Sequence, residues 1–116
     1  MSKEANAGEL RTPVRFKRIT WNTDPDGFKT KTEADVFTGP VMVKWANAHG
    51  AEVYSAMQMN LREPATLTMR YSPLVKGDQV VYREDDPEPY EIMSLNNVEN
   101  RKVWLEVKVQ RLEEAR

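Results

Sequence analysis

The stretch "KVWLEVKVQRL" near the C-terminus alternates strictly: Val103, Leu105, Val107 and Val109 fall on one side, and Trp104, Glu106, Lys108 and Gln110 on the other. A period of two sends successive side chains to opposite faces of a pleated strand, so this segment has one dry face and one wet face. A helix would scatter the same aliphatic groups around its axis. The signature recurs in "ATLTMRY", where Leu67, Met69 and Tyr71 oppose Thr66, Thr68 and Arg70, and in "GPVMVKWANA", where Val41, Val43 and Trp45 share a face. A chain that distributes its apolar residues this way has to fold as sheet with one buried side.

The remaining segments fit around these. In "VRFKRITW", Val14 and Phe16 alternate with Arg15 and Lys17, but Arg18 then stands where the next core residue belongs and Ile19 and Trp21 take over. A bulge near Lys17 and Arg18 would return both apolar pairs to one face. "QVVYR" and "YEIMSLNNV" read as two strands joined by the acidic turn "EDDPEP", whose prolines stiffen a projecting tip. Pro73 and "KGD" end the strand before them. "AEVYSAMQMN" is a short helical candidate, with Val53, Ala56 and Met57 spaced i, i+3, i+4. Residues 22–38, "NTDPDGFKTKTEADVFT", open on turn residues, show little apolar periodicity and read as a long flexible loop. The expected fold is mainly β: a small antiparallel β-barrel or sandwich of about six strands, with one short inserted helix and that loop. It forms one domain over residues 1–116, with residues 1–8 and 112–116 as frayed tails.

Composition narrows the function. With no cysteine and a single histidine, His49, the chain has neither thiolate ligands nor a two-histidine metal site. A formal charge of −1 does not mark a polyanion binder. The charge is uneven, however. Lys3, Arg11, Arg15, Lys17, Arg18, Lys29 and Lys31 weight the N-terminal part, while Glu84, Asp85, Asp86, Glu88 and Glu91 crowd one turn, so copies could meet head to tail. No apolar run approaches the roughly 20 residues of a membrane helix, and the first residues lack the apolar middle of a secretory signal; a soluble, cytosolic product is expected.

Chemistry finds little purchase. Asp24, Asp26 and Glu33 suggest a calcium loop, but Gly27 and Phe28 fall at the wrong positions for one. Asp85 and Asp86 form a carboxylate pair on an exposed turn, where nothing is expected to shift their pKa. His49 has no committed nucleophile or carboxylate partner. The expectation is therefore no enzyme, no cofactor and no metal. Aromatic groups in polar surroundings are more informative. Trp104 lies on the outward face of its strand, and Phe28 and Phe37 sit in the polar segment 22–38 beside Lys29 and Lys31; such aromatics are enriched at interfaces. A small barrel that binds nucleic acid is the alternative, although the aromatics fall mostly on inward phases rather than forming stacking platforms.

Three stretches, "GELRTPVRFKRIT", "VMVKWANAHGAEVYSAMQMNLREPATLTMRYSP" and "GDQVVYREDDPEPYEIMSLNNVENRKVWLEVKVQR", together resemble the phage head–tail adaptor or head-closure family. Gly8, Leu10 and Arg11 match its opening; Trp45 and Ala46, Glu52 and Ala56, and Arg70 and Tyr71 follow in order. Val81, Tyr82, Tyr90 and Ile92 match its hairpin, and Asn100, Arg101, Lys102, Trp104 and Leu105 its last signature. Many members turn that hairpin with a short glycine-containing loop; here the acidic "EDDPEP" replaces it. The resemblance, which runs from Gly8 to Arg111, implies a β-barrel with an inserted helix. It implies a structural virion protein, monomeric in solution, that joins a ring of its own copies beneath the portal and closes the DNA-filled head. Its partners would be portal or adaptor and tail proteins, with possible DNA contact in the channel and no membrane; it would be made in the host cytoplasm and end in the virion. Phe28, Lys29, Lys31, Phe37 and Trp104 are the expected assembly contacts.

Overall fold

A computed structural model describes residues 7–48 and 62–112. Among these residues seven strands make one sheet: β1 (Thr12–Thr23), β2 (Lys29–Asp35), β3 (Val41–Asn47), β4 (Ala65–Arg70), β5 (Val80–Arg83), β6 (Tyr90–Asn97) and β7 (Trp104–Arg111). Their order is β2-β1-β3-β4-β7-β6-β5, and β5 pairs back onto β1, so six strands close into an antiparallel barrel with β2 outside it. Closure gives each of the six barrel strands a neighbour on both sides and leaves β2 as the outer strand.

The alternating residues supply the core. Val14 and Phe16 of β1, Val43 of β3, Leu67 and Met69 of β4, Val81 of β5, Tyr90 and Ile92 of β6, and Leu105, Val107 and Val109 of β7 are all buried in one cluster. Each such side chain contributes about 1.5–3 kcal/mol when taken out of water, which lets the barrel hold without staples. The connection between β4 and β5 closes one mouth: Val75 is buried against the core, and Gln79 donates from Nε2 to the Leu74 carbonyl at 2.9 Å. At the other mouth a stack of cations and rings takes over. Arg111 lies 4.2 Å over Tyr90, Tyr90 meets Trp45 edge-on at 4.9 Å, and Arg83 lies 4.9 Å over the Trp45 ring.

Two expectations change. The segment 22–38 is not a loop without regular structure: Lys29–Asp35 is a strand, in unbroken antiparallel register with β1 from Lys17↔Asp35 to Thr23↔Lys29. None of its residues is buried, so no apolar period marks it in the sequence. The bulge expected near Lys17 and Arg18 is also absent from that register. Lys17 is instead a hand-over point, paired with Val80 of β5 and with Asp35 of β2. Beyond it β1 leaves the barrel, which is why Arg18 is exposed and why Ile19 and Trp21 do not join the core. Among the described residues a register shift lies instead in β6, between Ile92 and Ser94.

The helix expected over 51–60 and His49 lie outside the described residues. Ala7–Glu9 makes a short 3-10 turn, held by Arg11 Nε donating to the Gly8 carbonyl at 2.9 Å and by the Glu9–Lys44 ion pair at 3.0 Å.

Candidate functional site

Beyond Lys17, β1 and β2 form a two-stranded arm outside the barrel. Its tip is set by "DPDG". Asp24 Oδ1 accepts hydrogen bonds from the backbone N–H of Asp26 at 3.0 Å and of Phe28 at 2.8 Å, while Gly27 adopts φ +88° and donates to the Asp24 carbonyl. Only glycine takes that conformation without strain, and an aspartate at the first position folds the turn onto itself. The result holds Phe28 out at the tip, 70% exposed.

Cross-strand pairing sorts the arm's faces. Ile19, Trp21, Thr23, Lys29, Lys31 and Glu33 share one face with Lys17 and Asp35; Arg18, Thr20, Asn22, Thr30, Thr32 and Ala34 share the other. Trp21 is 49% exposed on the first face, opposite Lys31. Lys31 Nζ lies 3.5 Å from Glu33.

The arm's base is fastened to the barrel by a polar cleft of about 440 Å³ lined by Arg15, Lys17, Glu33, Tyr82, Arg83, Glu84 and Asp86. The Tyr82 hydroxyl donates to Glu33 Oε2 at 2.7 Å, and Lys17 Nζ sits 5.7 Å from the Tyr82 ring centre. Burial first, and then the Glu33 carboxylate, push the phenol up to about 12, so it stays a neutral donor. Arg15 reaches Asp35 at 3.7 Å and Glu84 at 3.3 Å, bridging arm to acidic turn. Cations and carboxylates here face one another in pairs, an arrangement that clamps. Among the described residues no group of three or more His, Cys, Asp or Glu comes together as a metal site.

The acidic turn is held rather than projecting. Arg111, its side chain 10% exposed, reaches Asp86 Oδ2 at 2.9 Å and Glu63 Oε2 at 3.2 Å and donates to the Glu88 carbonyl at 3.1 Å. The Glu88 N–H donating to Asp86 Oδ1, aided by Arg111, holds the Asp86 carboxyl below its usual range, which the exposed-turn reading did not anticipate.

Of the five expected contacts, the arm brings together Phe28, Lys29 and Lys31. Phe37 lies apart, packing edge-on against Phe16 at 5.8 Å and partly buried on the core. Trp104 is half-buried on β7, three strands round the barrel from β1, with the Arg70 guanidinium 5.7 Å from its ring centre. Tyr71 packs against the core, so Arg70 and Tyr71 take opposite faces as their alternation requires. Trp21 is the residue the sequence reading missed. Its signal was Arg18, a charge in a core phase, which marks where the strand parts from its buried partner.

The sequence matches the family model of phage head completion proteins over residues 5–112. The chain belongs to that family. Its work is therefore structural, in assembly of the phage head and virion. Among solved structures, the chain is similar to the solution structure of protein SF1141 from Shigella flexneri 2a, with a TM-score of 0.66 and 14% identity over 96% of this chain and all of that one. At that identity the likeness speaks for the shared fold. No curated protein matches the sequence.

Proposed function

We propose that this phage head completion protein is a non-catalytic subunit that enters a ring of its own copies below the portal, closes the filled head and presents the surface on which the tail docks. The observation that carries this reading is the arm: a hairpin outside a closed barrel, with Trp21 and Phe28 exposed on an element that no core requires. An isolated two-stranded ribbon is marginal in water, so the arm gains most of its order from what it touches. Contact with a neighbour on the growing particle supplies that surface, and the ordering cost then falls at assembly, which disfavours premature rings.

The arm suits a protein neighbour better than DNA. Residues 17–35 hold four cations, Lys17, Arg18, Lys29 and Lys31, against four carboxylates, Asp24, Asp26, Glu33 and Asp35. A polyanion would find no net attraction there.

The test removes the arm and keeps the barrel. Ile19 and Glu33 are cross-strand partners, so excising residues 20–32 and joining them through a two-residue Asn-Gly turn preserves the register below. Added to heads that lack the native protein, this variant is expected to fold yet leave the heads leaking DNA and unable to take tails. Normal yields of infectious particles from the folded variant would refute the arm's role.

A further inference from the structure

The turn from β6 to β7 is both exposed and strained. Glu99, Asn100 and Lys102 adopt φ of +54°, +58° and +56°, three of the four non-glycine residues with positive φ among the described residues. Asparagine takes that conformation readily; glutamate and lysine do not. The turn is nevertheless fixed. The Lys102 N–H donates to Asn97 Oδ1 at 2.9 Å, and the Arg101 N–H to the Val98 carbonyl at 3.2 Å. Backbone held against its preference tends to occur where a chain must place particular side chains. Here it sets Lys102 on the surface, two residues before Trp104.

Beside it an outward row crosses three strands. Arg70 pairs with Trp104 across β4 and β7, its guanidinium 5.7 Å from the ring centre. The β3–β4 register, continued outward from Lys44↔Thr68, sets Met42 beside Arg70. Met42 and Val103 are 45% and 51% exposed. Among the described residues no carboxylate comes within ion-pair distance of Arg70 or Lys102.

Two cations among exposed apolar groups are complementary to a carboxylate that stands next to an apolar side chain. The arm's tip has that composition. Asp24 is engaged in folding the turn, but Asp26 is exposed and its carboxylate makes no ion pair among the described residues. Phe28 stands two residues further on, 70% exposed. β7 lies three strands from β1 whichever way the six-stranded barrel is followed, so the arm and the row spring from opposite flanks of one molecule. A patch and its complement placed on opposite flanks match between copies, head to tail, which is the contact a ring repeats.

We propose that the arm tip of each copy docks on the β6–β7 turn of the next, with Phe28 against Trp104 and Met42, and Asp26 facing Lys102 and Arg70. The inference rests on the ring proposed above and names the surface its arm meets. One aromatic ring and one charge cluster cover far less than the roughly 1,200 Å² at the low end of stable interfaces, so free copies stay monomeric. Copies lined up on a head are held at high effective concentration, and there the same contact closes.

The native chain has no cysteine, which gives a clean probe. Asp26→Cys combined with Lys102→Cys, built into heads that lack the native protein and treated with a short bis-maleimide, is expected to give a ladder of covalent oligomers in denaturing electrophoresis. Each single variant is expected to run as monomer. Charge exchange reads the same contact without a cross-linker. Asp26→Lys alone or Lys102→Asp alone should lower the yield of infectious particles on the order of tenfold, and the double exchange should recover it. Both positions are exposed turn residues, and the β4 and β7 amide signals of each variant check that its barrel folds.

Infectious heads that yield only monomer after cross-linking overturn this inference and leave the head-completion role standing. A double exchange no better than the worse single variant overturns it too. Normal completion of heads by the arm-less variant would instead remove the arm's role altogether.

Discussion

At the residue scale, two groups tie the surface to the barrel. Arg111 gathers Glu63, Asp86 and the Glu88 carbonyl around one guanidinium above Tyr90. Arg111→Met keeps the apolar stem but leaves these acceptors unpaired, and the loss is expected at about 1–3 kcal/mol in urea unfolding. Asp86 adds a pH signature. Its folded-state pKa is depressed, so its contribution is present above the unfolded value near 3.8 and is lost as pH falls through the lower folded value; Asp86→Asn should flatten that acid limb in thermal melts. Tyr82 acts in the opposite direction. Its folded-state pKa is raised from 10.0 to about 12, so the wild type should lose stability as pH climbs from 10 towards 12. Tyr82→Phe should remove that alkaline slope and, through the lost bond to Glu33, lower stability at neutral pH by about 0.5–1.5 kcal/mol.

At the element scale, the core belongs to the barrel and not to the arm. Leu67 and Val107 face one another across β4 and β7 in the core, so Leu67→Ala should cost about 2–5 kcal/mol. Gly27→Ala, in contrast, strains only the arm's turn. It should perturb the amide signals of residues 22–30 in an NMR spectrum and leave those of β4 and β7 in place. The same division explains what could be read in the sequence. The barrel strands were legible because one buried face imposes a period of two on their apolar residues. β2 was not, because a strand wet on both faces needs no apolar period; its alternation is one of charged residues with threonine or alanine. The exit of β1 is half legible: Arg18 announces a change of phase, but a single strand's pattern does not say where its partner ends, so the alternation alone points Trp21 inward. Phe28 and Phe37 are alike in type and setting along the chain. Only tertiary placement separates the exposed tip from the ring packed on Phe16. The hold on the acidic turn was hidden too, since Arg111 lies 23 residues beyond Glu88.

At the scale of the whole molecule, a closed barrel carries an arm whose exposed Trp21 and Phe28 lie outside its core, and the proposal gives that arm the contacts of assembly. Family membership places that assembly at the completion of the phage head. Amide hydrogen exchange on the free protein and on the protein built into completed heads compares the two states most directly. The account predicts that residues 18–35 gain protection on incorporation while the core amides of β4 and β7 exchange as before. Equal exchange of the arm in both states, with new protection confined to the barrel's own surface, would contradict it.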